Sequence, residues 1–468
     1  MPLLAGLLAL AALGLLPGLL VVRAPWTAVV PLSLGFWVLS AWWPPLAGLG
    51  RTRVVWTGLL VFSCLSLLRL LPKHAVEPPP GWPRPPAPPP PPRPGPPPPA
   101  LASAPSLLVL GAALALLLPV PLWRHAPGPR LAFQTTIARV LLWRDAVPAT
   151  AEPLLPLSPV GAHAPALATL AADVSRLSGL DPAPSLLLVV VGAAGLLVSG
   201  LFALHATWAP SSAAAFGALF GLAAMPWPGA LSAWGEGEAL VALAFVLPAA
   251  ALLRGRSSRS SAVAAGMLFG AGALAHPLLA AFVWLGTTGV AAARGRAVGR
   301  MAVAAGLSLV LAGPGLSPLV RTVSVREAIA VWTAIRPAAI AAFTFGLAVA
   351  FLAPLAGIRL ARGRAFGRRT LAAGCALCAS LLVVRVHGWI ASGQVPDATR
   401  RALERASAAT SPCEPVCAPD GARDWVPALA ARAAGEPGPW IPPVYADEWA
   451  ARPRRHCSAR LGASAPGP

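Results

Sequence analysis

Charge is scarce in this chain. Only 11% of its 468 residues are charged, and Asp and Glu together number 16. A soluble domain carries about a quarter of its residues as charges, so a water-facing surface could not be built from this composition. Internal repeats are also lacking, which disfavours secondary transporters made of duplicated halves. The net charge of +20 raises nucleic acid as a partner, but the placement of the arginines argues for no nucleic acid, as shown below.

What is abundant is apolar sequence. Hydrophobic residues make up 56% of the chain and the mean hydropathy is +0.69. Apolar runs of the length that crosses a hydrocarbon core of about 30 Å as helix recur along it. They lie near 3–21, 27–48, 54–71, 106–123, 185–206, 213–227, 238–253, 261–275, 277–293, 301–319, 337–358 and 369–387. The sequence therefore predicts an all-α polytopic membrane protein with about twelve transmembrane helices. A single cleaved signal peptide would account for the first run only.

The arginines fix the orientation. "RGRSSR" at 254–259, "RGRAVGR" at 294–300 and "RLARGRAFGRR" at 359–369 hold eleven arginines and no carboxylate, the mark of cytoplasmic loops. Counting spans outward from them puts 124–184, 228–237, 320–336 and the tail after 387 on the extracytoplasmic side; with Glu238, at the outer end of the span that follows 228–237, fifteen of the sixteen acidic residues fall there. Only Glu77 stays inside. The exception to the rule is "RTR" at 51–53, which the same count places outside.

Four parts follow. Residues 1–71 are an N-terminal three-helix membrane segment rich in tryptophan, and 72–105 a Pro-rich cytoplasmic linker. Residues 106–387 are the main membrane domain, with the extracytoplasmic loop 124–184, and 388–468 a small extracytoplasmic tail. The linker, "PKHAVEPPPGWPRPPAPPPPPRPGPPPP", cannot form helix or sheet because proline fixes φ and lacks an N–H. It reads as an extended polyproline-II spacer, or as a docking site for a partner domain.

Within the long loop, "LAFQTTIARVLLWR" (131–144) spaces Phe133, Ile137, Val140 and Leu141 as a helix lying in the interface, with Trp143 near its end. In "APALATLAADVSRLSGL" (164–180), Leu167, Leu170, Ala171, Val174 and Leu177 line one face, Asp173 and Arg176 lie off it, and Gly179 stops the helix. The stretch "RDAVPATAEPLLPLSPVGAH" (144–163) joins the two and carries Asp145, Glu152 and His163.

That loop, followed by "AMPWPGALSAWGEGEALVALAFVLPAAALL" (224–253), "AVAAGMLFGAGALAHPLLAAFVW" (262–284) and the tail "CAPDGARDWVPALAARAAGEPGPWIPPVYADEW" (417–449), resembles the GT-C class of membrane glycosyltransferases. These are polytopic enzymes of the mannosyltransferase and aminoarabinose-transferase kind that use polyprenyl-phosphate sugars. The resemblance covers roughly residues 106–450 and lies in the order of loop, hairpin and tail. It implies a long first catalytic-type extracytoplasmic loop and a multi-pass protein of the cell (inner or plasma) membrane. It also implies transfer of a hexosyl or pentosyl group from a polyprenyl-phosphate-sugar lipid to a lipid, glycan or protein acceptor. Members usually place the catalytic acid close behind the preceding helix, often as an acidic pair, whereas here Asp145 and Glu152 are seven residues apart. The chain has no Asp-x-Asp nucleotide-sugar motif, in keeping with a lipid-linked donor.

Such a transfer needs a base for the acceptor hydroxyl and positive charge for the departing phosphate. Asp145 or Glu152 suits the first need; Arg144 and His163 suit the second. The plainer reading pairs Asp145 with Arg144 or Arg139 and leaves His163 as a helix cap. In "WGEGE", Glu236 and Glu238 could share a divalent cation, since Gly235 and Gly237 allow a non-helical backbone, or could complement a helix N-terminus. His276, in "LAHPLL", is either a substrate-binding group at the membrane surface or a satisfied hairpin tip.

Of the six cysteines, Cys64, Cys375 and Cys378 fall within spans as small hydrophobes. Cys413, Cys417 and Cys457 lie in the tail, where Cys417–Cys457 is the preferred disulfide because it closes a loop around a Trp-rich segment. Trp425, Trp440, Trp449 and Tyr445, the sole tyrosine, suit either sugar faces or a small packed cap. The alternatives to an enzyme are a multi-pass transporter or flippase, and a non-catalytic scaffold of GT-C descent. Carboxylates gathered on one outer face rather than at mid-span favour the enzyme.

Overall fold

A computed structural model of the protein describes residues 2–20, 25–43, 49–70, 103–148, 150–152, 154–155, 157, 166–224, 237–255, 258–293, 298–322, 346, 349–350, 352–359, 365–411, 413–418, 422–434, 439 and 459–460. His163, Glu236, Cys457, the proline-rich linker and most of the expected span at 337–358 lie outside the described residues.

The helices in chain order are α1 (Pro2–Leu15), α2 (Trp26–Ser40), α3 (Arg51–Leu70), α4 (Ala104–Ala115), α5 (Pro129–Arg144), α6 (Ala166–Ser178) and α7 (Pro182–His205). They continue as α8 (Ser211–Ala224), α9 (Gly237–Arg254), α10 (Arg259–Ala275), α11 (Pro277–Ala293), α12 (Val298–Thr322), α13 (Ala365–Ser392) and α14 (Asp397–Ala409). The protein is an all-α membrane protein. Among the described residues seven helical segments are long and apolar enough to cross a bilayer, and Trp26–Ser40, Ser211–Ala224 and Pro277–Ala291 are shorter apolar helices.

Two of the long segments, Pro182–His205 and Gly237–Arg254, are enclosed by their neighbours. The outer ones present rows of exposed leucine and valine, such as Leu60, Leu67 and Leu68 on α3 or Leu377, Leu381 and Val384 on α13. In water such rows would be unstable; against lipid they cost nothing. Close helix approach relies on small residues. A Cβ at Gly266 of α10 would lie 2.9 Å from the Ala304 carbonyl oxygen of α12, and one at Gly270 would lie 3.2 Å from that of Ser308.

Helices before the linker are packed into the same bundle as those after it. α1 packs on α6 and α7, and α2 on α7 and α10, with Trp37 fully buried. The α1–α2 connection is tied by the Trp37 indole N–H donating to the Leu16 carbonyl at 2.8 Å and the Gly18 N–H to the Ser33 hydroxyl at 2.8 Å.

Two expectations for the long loop change. α5 is not a helix with one apolar face in the interface: Leu131 to Ala138, Val140 and Leu141 are buried on every side, and only its two ends, at Pro129 and at Trp143 and Arg144, are exposed. The reason is that α6, α7 and the tail all pack against it. On α6 the hydrophobic stripe forms as expected and Gly179, at φ +72°, ends the helix. Asp173, however, is fully buried, because an arginine from before the linker meets it.

The tail folds as a small cap with its own core of Leu403, Val416, Trp425 and Val426, seated on Ala132 of α5. It contains a short parallel sheet in the order β2-β1-β3, with β1 at Pro415–Cys417, β2 at Ala433–Ala434 and β3 at Ala459–Arg460. Cys417 is disulfide-bonded, whereas Cys64, Cys375, Cys378 and Cys413 are free thiols.

His125 joins the cap to the bundle. Its Nδ1 donates to the Ala126 carbonyl at 2.9 Å, its Nε2 accepts from the Val395 N–H at 3.1 Å, and its ring lies 4.2 Å from that of Trp425. Both contacts require the neutral Nδ1–H tautomer. Burial pushes its pKa below the ordinary histidine value, against the opposing pull of the Ala126 carbonyl. A lowered pKa means that docking is at full strength above about pH 6.5 and weakens as acid forces a proton onto Nε2. Amide exchange at Val395, corrected for its intrinsic rate, is expected to speed up between about pH 7.5 and about pH 5. A constant corrected rate would contradict this reading of the joint.

Candidate functional site

The sequence-predicted carboxylate Asp145 sits at the C-terminal end of α5 with φ 52°, one of two non-glycine residues with positive φ among those described. A non-glycine residue is held in that left-handed conformation only when its surroundings compensate. Here the compensation comes from the N-terminus of α3. The Arg51 N–H donates to the Asp145 carbonyl at 2.7 Å; the Thr52 N–H and hydroxyl donate to Asp145 Oδ1 at 2.8 and 2.5 Å. The first amides of a helix have no partners of their own, so a carboxylate from elsewhere in the chain fits them.

Arg176 approaches the same oxygen, with Nε 3.4 Å from Asp145 Oδ1. It is not Arg144 or Arg139 that pairs with Asp145, as the plainer reading of the sequence supposed. Arg144 is exposed at the helix end, and Arg139 points to Asp181, with its guanidinium 2.8 Å from Asp181 Oδ2 and also bonded to the Ala428 carbonyl at 2.9 Å.

Behind Asp145 the network continues inward. Arg176 bonds Asp173 Oδ1 at 2.8 Å, and Arg51 grips the same carboxylate with two nitrogens, Nε at 3.1 Å to Oδ1 and NH2 at 2.5 Å to Oδ2. The arginines have further acceptors where helices end. Arg51 donates to the Trp37 carbonyl at 2.7 Å and the Ser40 hydroxyl at 2.9 Å in the last turn of α2, and Arg176 to the Leu141 carbonyl at 2.9 Å in the last turn of α5. Each guanidinium thus supplies a donor to a carbonyl in the last turn of a helix, where backbone partners run out; the Trp37 carbonyl also accepts from the Ser40 hydroxyl. Burial lowers the Arg176 pKa from its ordinary value, and Asp173 opposes that shift; an arginine nevertheless keeps its charge. With two arginines and two aspartates the cluster is neutral. A narrow crevice runs beside it past Ala41, Val147 and Thr169, with room for about one water.

Asp145 is the member open to solvent, its side chain 40% exposed against 7% or less for Arg51, Asp173 and Arg176. Among the described residues its side-chain hydrogen bonds and its ion pair fall on Oδ1. Among the described residues Oδ2 has no hydrogen-bond partner, and it faces Gly50, where a Cβ would collide with it.

Of the other expected site residues, Arg144 is next to Asp145 at the end of α5. Glu152 is exposed on a turn whose backbone is held by Ala151–Leu157 bonding and by the buried Leu154, Leu155 and Leu157. Glu238, in the first turn of α9, faces into the bundle and accepts from Gln134 Nε2 of α5 at 2.7 Å. Among the described residues no group of three or more His, Cys, Asp or Glu side chains could hold a metal ion. His276 ends α10 and accepts from the Leu279 N–H at 3.2 Å, the geometry of a satisfied hairpin tip.

Arg51, Thr52, Asp173 and Arg176 were missed as site residues. Their signal was the "RTR" that the arginine rule left on the outer face, a pair of cations with no cytoplasmic loop to explain it. Gly50→Ala is expected to push the Asp145 carboxylate off its Thr52 bonds and to destabilise the protein by about 1 kcal/mol, read as a lower melting temperature in detergent. An unchanged melting temperature would mean that Oδ2 does not lie against Gly50.

Comparison of the chain with protein-family models, with curated proteins and with solved structures gave no match.

Proposed function

We propose that this protein is a membrane glycosyltransferase of GT-C type that moves a sugar from a polyprenyl phosphate to a lipid, glycan or protein acceptor on the extracytoplasmic face of the cell membrane, through about twelve spans. The observation that carries this reading is the state of Asp145, a half-exposed carboxylate fixed through one oxygen, the other having no hydrogen-bond partner among the described residues.

A general base needs both properties. A free carboxylate at the end of a flexible side chain would spend little time aimed at its target, and one with both oxygens engaged would have no site for a proton. In the proposed step the acceptor hydroxyl gives its proton to Asp145 Oδ2 while its oxygen forms the new bond to the anomeric carbon. The bond from that carbon to the phosphate oxygen breaks, and the electron pair leaves on the polyprenyl phosphate. Arg144, exposed beside Asp145, and Trp143, 48% exposed at the same helix end, would meet the phosphate and the polyprenyl chain of the donor. His163 would add a second donor for the phosphate. Glu238 and His276 are further from this role: Glu238 is turned into the bundle, and His276 is bonded at its hairpin.

Asp145→Asn keeps the shape of the side chain and removes the proton acceptor. Transfer from a polyprenyl-phosphate sugar is expected to fall by about 10² to 10⁴ while membrane insertion and protein level stay normal. Glu152→Gln is expected to change the rate far less. Full activity in Asp145→Asn, or no transfer by the wild type from any polyprenyl-phosphate sugar, would remove this reading in favour of a non-catalytic scaffold.

A further inference from the structure

We infer that Thr52 is the positioning residue for Asp145, so that the helices before the proline-rich linker supply a working part of the site rather than an appendage to it. The inference rests on Asp145 acting as the base.

Thr52 and Asp145 are 93 residues apart, with the linker at 72–105 between them. Nevertheless Thr52 contributes both strong contacts to the carboxylate, its backbone N–H at 2.8 Å and its hydroxyl at 2.5 Å, and both go to Oδ1. The adjacent Arg51 N–H holds the Asp145 carbonyl at 2.7 Å. Backbone and side chain of Asp145 are therefore gripped together by two successive residues at the start of α3. The grip fixes the χ angles of the carboxylate, and by saturating Oδ1 it decides which oxygen stays open. Arg176 could not do this alone. Its Nε is 3.4 Å from Oδ1, and its shorter bonds go to Asp173 and to the Leu141 carbonyl.

Gly50 completes the arrangement from the same segment, leaving space where Oδ2 points. Three consecutive residues, Gly50, Arg51 and Thr52, thus shape the immediate surroundings of Asp145, although the resemblance to known transferases begins only after the linker.

Thr52→Val keeps the branched shape and the backbone N–H but removes the hydroxyl; Thr52→Ser keeps the hydroxyl. Thr52→Val is expected to lower kcat for sugar transfer about tenfold or more with little change in KM, because substrate does not touch Thr52, and Thr52→Ser is expected to restore most of the rate. A merely structural role would not split kcat from KM or be rescued in this way. The contact itself is read without activity, from melting temperatures. Thr52→Val should lower the melting temperature of the wild type and have a much smaller effect in an Asp145→Ala background. Equal losses in both backgrounds would overturn the inference, as would a normal kcat in Thr52→Val. If the wild type transfers no sugar while the thermal coupling is present, the base reading has failed and the positioning role fails with it; absent coupling in an active enzyme overturns the inference alone.

Discussion

The structure depends on how helix ends are satisfied at the end of the bundle where α2 and α5 finish and α3 and α7 begin. Each helix leaves carbonyls unpaired at its C-terminus and amides unpaired at its N-terminus, and next to lipid there is little water to take them. Here the partners are charged side chains, three of them from other helices and one, Asp181, the N-cap of its own helix. Arg51 meets the end of α2, Arg176 the end of α5, Asp145 the start of α3, and Asp181 the start of α7 through the Ala183 N–H. The signs agree with the helix dipole in every case, cations at C-termini and carboxylates at N-termini.

Asp173 makes this possible. It is fully buried and takes Arg51 and Arg176 together. Burying ions is costly, and such a cluster is weak support for stability as such; removing one member, by contrast, typically costs about 3–5 kcal/mol, because an unpaired charge remains. The cluster therefore acts chiefly on specificity of arrangement. It brings α2, α3, α5 and α6 to one geometry, and at its rim it leaves Asp145 half in the open. The cap is seated on the same helix α5 and joined through His125 and the Arg139 bond to the Ala428 carbonyl.

Much of this was legible in the sequence. Run lengths gave helices of the right order and type, Gly179 ended α6 as expected, and the carboxylates of the long loop were singled out before their surroundings were known. What stayed hidden was pairing over distance. A pattern of apolar residues on α6 put Asp173 on the polar side, and nothing local could show that Arg51, more than a hundred residues earlier, would enclose it. For α5, periodicity identified a single apolar face because Gln134, Thr135 and Thr136 look polar; in the fold both threonine hydroxyls bond back to carbonyls four residues earlier, and Gln134 meets Glu238. The arginines at 51 and 53 were the visible irregularity, and they mark the place where the orientation rule gave way to a specific contact.

The central claim is that the segment before the linker and the segment after it make one site. A protease site placed within residues 78–99, a stretch of proline-rich sequence with no core to lose, allows the purified protein to be cut there. The account predicts that the N-terminal piece stays bound after cutting, that sugar transfer persists, and that transfer is lost when that piece is stripped away. Transfer that continues after removal of the N-terminal piece would contradict it.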